Sequence, residues 1–576
     1  MGLKTRILIP LVACILAATA SAAPQLRLAV SALGPFIIAP GANGPAQSVD
    51  ASNAGDGTLS LTAASSATWL GASIGQPHTC SLRGICIPVQ MTLQTSSLTA
   101  GTYTGTVTVS DPNAIDAPQT ITVTVQIGSN VPSSVDLYVA PNGGTATSPF
   151  TTPSQIKTSV NTSSGGSWLS VALGGNGSFA FAYPYQITGT GVSGLGAGNY
   201  TGSVAVSNST LPADNKTVQV TLHVTTQPIA EASPASVQIR AAQGGIKQTA
   251  IIALVNLGQG TLSASSVTAT AASGTWLSAA MSSNGSAVTV TADPAGLTPN
   301  VYTGTIAIAT NGANGTVNVP VTLNLEATAP PLIVYQGAVN NATFVGGDAV
   351  APGDIMAVFG DQFSTAAPGL ASAIPLPATL NDVQVMVNGK AAPLYYSSYQ
   401  QIDFQLPYET PTGLATVQVV RGGQAGNLSS IQVANRNPRI LQFGGTDYGI
   451  IQNQDGKTFA VPATLGVPNQ PAPIGKVIVM YAIGLGQTAP AATTGAAATS
   501  SPTQLVTPTY KVCFGGALFN SGDCILAQYS GLTPTFVGLY QVNVQLPPSV
   551  PKGAHVPLYI DNGQGKSNVV YVSIAQ

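Results

Sequence analysis

"GTYTGTVTVS" (Gly101–Ser110), "GNYTGSVAVS" (Gly198–Ser207) and "NVYTGTIAIA" (Asn300–Ala309) are three versions of one strand. After the Tyr-Thr-Gly step, apolar residues alternate with Thr, Ser or Ala, the period of a strand with one buried face. Upstream of each lies "TWLGA" (Thr68–Ala72), "SWLSV" (Ser167–Val171) or "TWLSA" (Thr275–Ala279), which together hold all three tryptophans of the chain. Downstream each unit closes on a further alternating strand, "ITVTVQI" from Ile121, "VQVTLHV" from Val218 and "VNVPVTLNL" from Val317. The spacing of Tyr103, Tyr200 and Tyr302, about one hundred residues, is the length of one immunoglobulin-like sandwich. Trp69, Trp168 and Trp276 are expected to fill the sandwich cores, with the three tyrosines locking a strand corner.

A second repetition follows. "SSYQQIDFQLPY" (Ser397–Tyr408) returns as "VGLYQVNVQLPP" (Val537–Pro548), and "APGDIMAVFGDQF" (Ala351–Phe363) returns as "PIGKVIVMYAIGLG" (Pro473–Gly486). The C-terminal region is therefore read as a duplicated domain. Within the phrase Ile402, Phe404 and Leu406 share one strand face, as do Val542, Val544 and Leu546; Gln401, Asp403, Gln405 and Gln541, Asn543, Gln545 share the other. Pro407 and Pro547 stop the ladder. With no convincing amphipathic helix anywhere, the expectation is an all-β chain of tandem immunoglobulin-like β-sandwiches, about five of them.

Composition narrows the functional classes. The 576 residues include 63 Gly and 42 Pro but only 6% charged residues, against roughly 25% in an ordinary soluble protein. With 17 basic and 19 acidic side chains there is no positive field for phosphates, so nucleic-acid binding is not expected. The N-terminus carries Lys4 and Arg6, an apolar run from Ile7 and Ala20-Ser21-Ala22, the layout of a cleaved secretory leader. "LVAC" at Leu11–Cys14 could pass for a lipidation signal, but the apolar run continues past Cys14, which disfavours a cut there. No other stretch is long and apolar enough to predict a transmembrane helix in the mature chain. A secreted or cell-surface location follows. The few ionisable groups further predict a stability nearly flat from moderately acidic to neutral pH.

The remaining cysteines, Cys80, Cys86, Cys513 and Cys524, fall into two sequence-local pairs that an oxidising compartment would close as disulfides. His78, Cys80 and Cys86 are also metal-ligand types, but structural zinc wants four ligands. His78, His223 and His555 fall in three different units. No Gly-x-Ser-x-Gly or His-Glu-x-x-His motif occurs, and "GQGKS" (Gly563–Ser567) follows a turn signal and lacks a helix to receive phosphate. The neighbouring acids Asp354 and Asp361, and Asp111 and Asp116, are read as solvated loop residues or an incidental cation site. No catalytic, cofactor-binding or metal-binding residue is assigned, and no enzyme is expected.

The first three units resemble BACON-type domains, on the Trp-Leu step and the Gly-x-Tyr-Thr-Gly strand, over roughly residues 24–327. That family's name implies carbohydrate binding. Residues from about 335 to 576 resemble the C-terminal domain family abundant in Solibacter-like acidobacterial secreted proteins. The carriers are "APGDIMAVFG", "PLPATL", "VNGKAAPLYYSSYQQIDFQLP", "YAIGLG", "VGLYQVNVQLP" and "GKSNVVYVSIA". That resemblance supplies no mechanism, and each half is also similar to IPT/TIG-type immunoglobulin folds. The organisation expected is a leader (1–22), three repeats (23–128, 129–227, 228–327), a Pro-containing linker (328–335) and two C-terminal halves (336–437, 438–576). "QTAPAATTGAAATSSPTQL" (Gln487–Leu505) is low-complexity and expected to be a mobile loop. The functional expectation is non-catalytic binding or adhesion to a polysaccharide or cell-surface partner, or else a structural spacer that self-associates. A ligand site is placed on Tyr395, Tyr396, Tyr399, Gln401 and Asp403, where rings could stack on sugar faces while amides bond hydroxyls.

Overall fold

A strand that alternates apolar and hydroxyl side chains has one face to hide, and a second sheet must cover it. The computed structural model describes residues 23–80, 84–174, 182–190, 194–515 and 524–575. The leader and Cys14 lie outside the described residues. Ten sheets pair around five separate apolar cores, drawn from residues 26–127, 131–224, 232–325, 333–433 and 440–574. Helical structure among the described residues is confined to 3-10 turns at Pro212–Asp214 and Ala463–Leu465. The chain is thus all-β, a tandem array of immunoglobulin-like sandwiches.

Each of the first three sandwiches is organised by its last strand. Gln119–Ile127 pairs antiparallel with Gly101–Ser110 and parallel with Ala32–Ile38. Thr217–Val224 does the same with Gly198–Ser207 and Ser134–Val139, and Thr316–Glu326 with Asn300–Thr310 and Val237–Ala242. Trp69, Trp168 and Trp276 are buried at 8%, 1% and 3% exposure, and the leucine after each is buried beside it. The hydroxyls of Tyr103, Tyr200 and Tyr302 each donate to the carbonyl four residues earlier, on Thr99, Gly196 and Thr298. This is a tyrosine corner in triplicate.

Why the corner is always followed by Thr-Gly emerges from the packing. A Cβ on Gly105 would lie 3.1 Å from Leu70 Cδ2 and 3.2 Å from Trp69 Cζ2. On Gly202 it would come within 2.9 Å of Leu169 Cδ2 and 2.8 Å of the Asn161 carbonyl, and on Gly304 within 2.5 Å of Leu277 Cδ2. The Trp-Leu step lies on the bare backbone of that glycine. Two motifs distant in sequence are the two sides of one contact.

In the C-terminal halves the repeated phrases are each other's partners. Ile355–Asp361 pairs with Gln401–Gln405, and Val477–Ile483 with Tyr540–Gln545. The inward residues Ile402, Phe404, Leu406 and Val542, Val544, Leu546 are fully buried. Two expectations need correction. The linker is shorter than 328–335, because Leu332–Asn340 is already a strand paired with Ile355–Asp361. The segment Gln487–Leu505 is packed, not loose: Thr488–Ala489 pairs with Leu505–Val506 and Ala498 is buried. Its small neutral residues look unstructured in sequence but dock readily against a neighbouring sandwich.

Two disulfides are closed, Cys80–Cys86 and Cys513–Cys524, the second between directly opposed strand residues.

Gly202→Ala should lower the melting temperature, at a cost of ~1–3 kcal/mol for forced overpacking. Gly196→Ala, where a Cβ meets nothing within 4 Å, should leave it nearly unchanged. Thermal melts of the two variants side by side test the contact.

Candidate functional site

The tyrosine-rich strand lies where sandwiches meet, and its side chains are placed accordingly. The Tyr395 hydroxyl donates to the Val537 carbonyl of the last sandwich at 2.8 Å. Gln405 is buried, accepts the Gly495 N–H at 2.7 Å and points its amide toward the Gly353 carbonyl. Tyr408 N–H donates to Thr494 Oγ1 at 3.0 Å. Tyr399, 5% exposed, lies instead near the third sandwich, among Glu326, Arg240, Asp361 and Arg421. Gln401 Nε2 donates to Asp403 Oδ1 at 2.8 Å, and Tyr395, Tyr396, Gln401 and Asp403 are all half-buried. The residues expected to form one sugar platform are therefore divided between two junctions. Tyr395 and Tyr399 face two different junctions, the first half-buried and the second buried.

The acids read as solvated loop residues are in fact buried: Asp111 5%, Asp116 6%, Asp354 1% and Asp361 4% exposed. A carboxylate can be buried only if hydrogen bonds or charges compensate it, and here several partners belong to another sandwich. Asp116, in the left-handed region at φ 63°, accepts from Gln25 Nε2 at 2.6 Å and from Ser430 N and Oγ at 2.7 Å each. Its own N–H donates to the Leu428 carbonyl. The first repeat is thereby clamped to the edge strand Gln424–Val433 of the fourth sandwich. A cleft of about 470 Å³ lies beside the clamp, lined by residues 110–114, 117–118, 418 and 426–428. Asp361 accepts from Arg240 of the third repeat at 2.5 Å and from Gln400 at 3.3 Å. Arg421 donates to the Gln362 and Ala329 carbonyls and so holds the connecting segment.

Asp354 occupies the joint of the two C-terminal halves. Its Oδ2 accepts the Ala351 N–H at 2.7 Å, while Oδ1 faces Gly484 of the last sandwich. Arg439, paired to Asp348 at 3.3 Å, and the Tyr408 and Tyr540 hydroxyls surround it. Burial pushes the Asp354 carboxyl up to about 7, against the opposing pull of the Ala351 N–H and Arg439. Burial also raises Glu326, helped by the Asp361 charge, and raises Asp403 against its bond from Gln401. These buried acids were missed because nothing local marks them; their burial follows from docking between distant segments.

The histidines stay apart, each with its own acid: His78 with Asp50 at 3.3 Å, His223 with Asp136 at 2.7 Å and His555 with Asp447 at 2.9 Å. Asp50, His78 and Cys86 come close enough to suggest a metal site. The Cys86 sulfur, however, is bonded to Cys80, which removes the thiolate a metal needs. In the Gly563–Ser567 hairpin, Lys566 lies 4.1 Å over the Tyr559 ring and its backbone pairs antiparallel with that of Asp561, so no phosphate cradle forms.

No family model matches the chain, and no curated protein matches it. Among solved structures it is similar to the human desmocollin-1 ectodomain, at 9% identity over 94% of this chain and 98% of that one, with TM-score 0.14. It is also similar to Sidekick-1 immunoglobulin domains 1–4, at 11% identity over 77% and 97%, with TM-score 0.17. A third similarity is to an endo-fucoidan hydrolase of glycoside hydrolase family 107, at 13% identity and TM-score 0.17; it covers 51% of this chain but only 43% of that one. These likenesses carry nothing about activity.

The raised carboxyls run against the expectation of flat pH dependence. A folded state that keeps a proton the unfolded chain has released loses stability as pH rises toward the folded value. Stability should therefore fall as pH rises from about 4 to 8, by on the order of 4 kcal/mol in all from Asp354 alone and about 2.5 kcal/mol of it between pH 5 and 8. Asp293 and Asp455, held low chiefly by backbone N–H groups, act only below the ordinary carboxylate range and outside that window. Asp354→Asn should flatten most of the slope; an unchanged slope in thermal melts would count against Asp354 as its source. Asp116→Ala should enlarge the radius of gyration seen by solution X-ray scattering while leaving each sandwich folded. An unchanged radius would mean that the clamp does not hold the first repeat.

Proposed function

We propose that this chain is an exported, non-catalytic binding or adhesion protein, in which joined β-sandwiches present a surface to a polysaccharide or a cell-surface partner. The observation that carries the reading is what its buried charges do. Asp111, Asp116, Asp214, Asp354, Asp361 and Arg421 each bond to backbone, to a neighbouring hydroxyl or amide, or to another sandwich. Catalysis by carboxylates needs two of them converging on one cleft, and these five carboxylates are engaged in architecture. The closed disulfides support an oxidising compartment. The clamp from Asp116 to Ser430 favours a folded-back assembly over an extended spacer.

Retention of the mature protein on insoluble cell-wall and plant polysaccharides, with the supernatant assayed for new reducing ends, tests the reading. Retention without product release is expected. Release of oligosaccharides would overturn the non-catalytic half, and absence of retention on every polysaccharide and on intact cells would overturn the binding half.

A further inference from the structure

We infer that the cleft beside the Asn388-Gly389 turn is a sugar-binding site, in which Asn388, Glu409 and Thr410 take the hydroxyls of a neutral polysaccharide. The cleft encloses about 380 Å³, at the small end of the ~300–1,000 Å³ usual for small-ligand sites. Residues 387–388, 390–391, 407 and 409–411 of the fourth sandwich line it, together with Thr494 of the last. Val387, Ala391, Pro407 and Pro411 supply apolar lining, and the rest of the lining is polar or charged.

Two of its polar side chains are held by the fold through one atom and keep the other free. The Asn388 amide accepts the Thr416 N–H at 2.8 Å and the Thr416 hydroxyl at 3.3 Å. A backbone N–H can only donate, so the accepting atom is the amide oxygen. The nitrogen, Nδ2, is left without a partner among the described residues. Glu409 is held in the same manner. Thr494 Oγ1 accepts the Tyr408 N–H at 3.0 Å and donates to Glu409 Oε2 at 2.8 Å, while Oε1 bonds nothing among the described residues. Thr410 is only 8% exposed, yet its hydroxyl has no partner among the described residues. The hydroxyl of a buried residue normally finds one. Lys390, at the same cleft, makes no ion pair among the described residues.

These free groups choose the class of ligand. The carboxylate can only accept, the amide nitrogen and the ammonium can only donate, and the hydroxyl does both. Neighbouring sugar hydroxyls donate and accept at once, and the ring C–H groups between them match the apolar lining. A phosphate or a uronate would meet the like charge of Glu409. A hard cation needs several oxygen ligands, and Glu409 is the single acid at the cleft. A peptide would join as an added strand, but the edge strand here, Lys390–Ala392, is three residues long and runs into Pro393. A purely apolar ligand would leave the Thr410 hydroxyl buried and unpaired, which is costly. The assignment rests on the reading of this chain as a polysaccharide binder, and adds to it a site and a neutral ligand class.

Depletion isotherms of the mature chain on insoluble cellulose, xylan, mannan and chitin, with polygalacturonate as the acidic comparison, test the site. Retention on at least one of the four neutral polysaccharides is expected. Thr410→Val removes the free hydroxyl at constant shape and should weaken that retention roughly fivefold. Its melting curve should not change, because that hydroxyl bonds nothing among the described residues. Asn388→Asp keeps the acceptor for Thr416 but exchanges the free donor for an acceptor, and Glu409→Gln makes the opposite exchange. Each should weaken retention about tenfold, and Thr410→Val alone decides the matter if either disturbs the fold. Retention indifferent to all three substitutions would overturn this site and leave the binding reading standing. No retention on any of the four neutral polysaccharides would also overturn the site, whereas the binding reading falls only if polygalacturonate, every other polysaccharide and intact cells fail as well. Retention on polygalacturonate alone, lost in Lys390→Ala, would make the ligand acidic and overturn the neutral class.

Discussion

The first three sandwiches depend on one contact, a Trp-Leu step lying on the bare backbone of a glycine. The tyrosine before that glycine ties the turn, through its hydroxyl, to a carbonyl four residues back. The glycine then lets the opposite sheet approach until the leucine methyl and the indole edge reach the strand. Neither half suffices alone. Without the corner the strand enters at another angle, and with a Cβ the sheets are held apart by a distance that a close-packed core cannot absorb. A change in either partner is answered only by the other, which gives a physical reason for both motifs to stand together in all three units.

Charge has a different task in this chain from its usual one. Most proteins place it outside for solubility, whereas here hydroxyls and amides cover the sheets and several of the few acids sit between sandwiches. A buried carboxylate is costly unless nearly every lone pair is satisfied, and that demand makes it selective. Asp116 is satisfied by Gln25 of its own repeat together with Ser430 of the fourth sandwich. Asp361 needs Arg240 from the third. An apolar contact would tolerate sliding; these do not. The joints are therefore specific in register even though their chemistry is sparse.

How much of this was legible depends on range. Period-two alternation and the repeated Tyr-Thr-Gly strands are local, and they point directly to paired sheets and to the tryptophans Trp69, Trp168 and Trp276 lying inside. The pairing of Cys513 with Cys524 was legible for the same reason, since both lie on one hairpin. The roles of Asp354, Asp361 and Asp116 were not. Each acid sits in a stretch whose composition suits a wet loop, and its burial is decided by residues far away in sequence, such as Ser430 for Asp116. The tyrosines misled in the opposite sense. Tyr395, Tyr396 and Tyr399 are adjacent in sequence and seemed one cluster, but a bulge between Leu394 and Tyr396 and the turn after Ser397 send them to different neighbours.

The two C-terminal halves show the same backbone answering to two environments. Gly353 and Gly475 occupy corresponding turns, with φ of 89° and 79°, and each carbonyl faces the amide of the corresponding glutamine, Gln405 or Gln545. The first turn is pressed into the joint, where a Cβ on Gly353 would strike the Tyr408 ring; the second has nothing within 4 Å. The next residue differs accordingly. Asp354 is buried and bonds the Ala351 N–H that water cannot reach, whereas Lys476 is exposed in water. A lysine in the first position would bring a charge with no acceptor for its three donors beside a backbone N–H that needs one. The acid meets that need, and its raised proton affinity follows from the same burial. The pH dependence expected of this chain is thus a consequence of joining two copies of one domain.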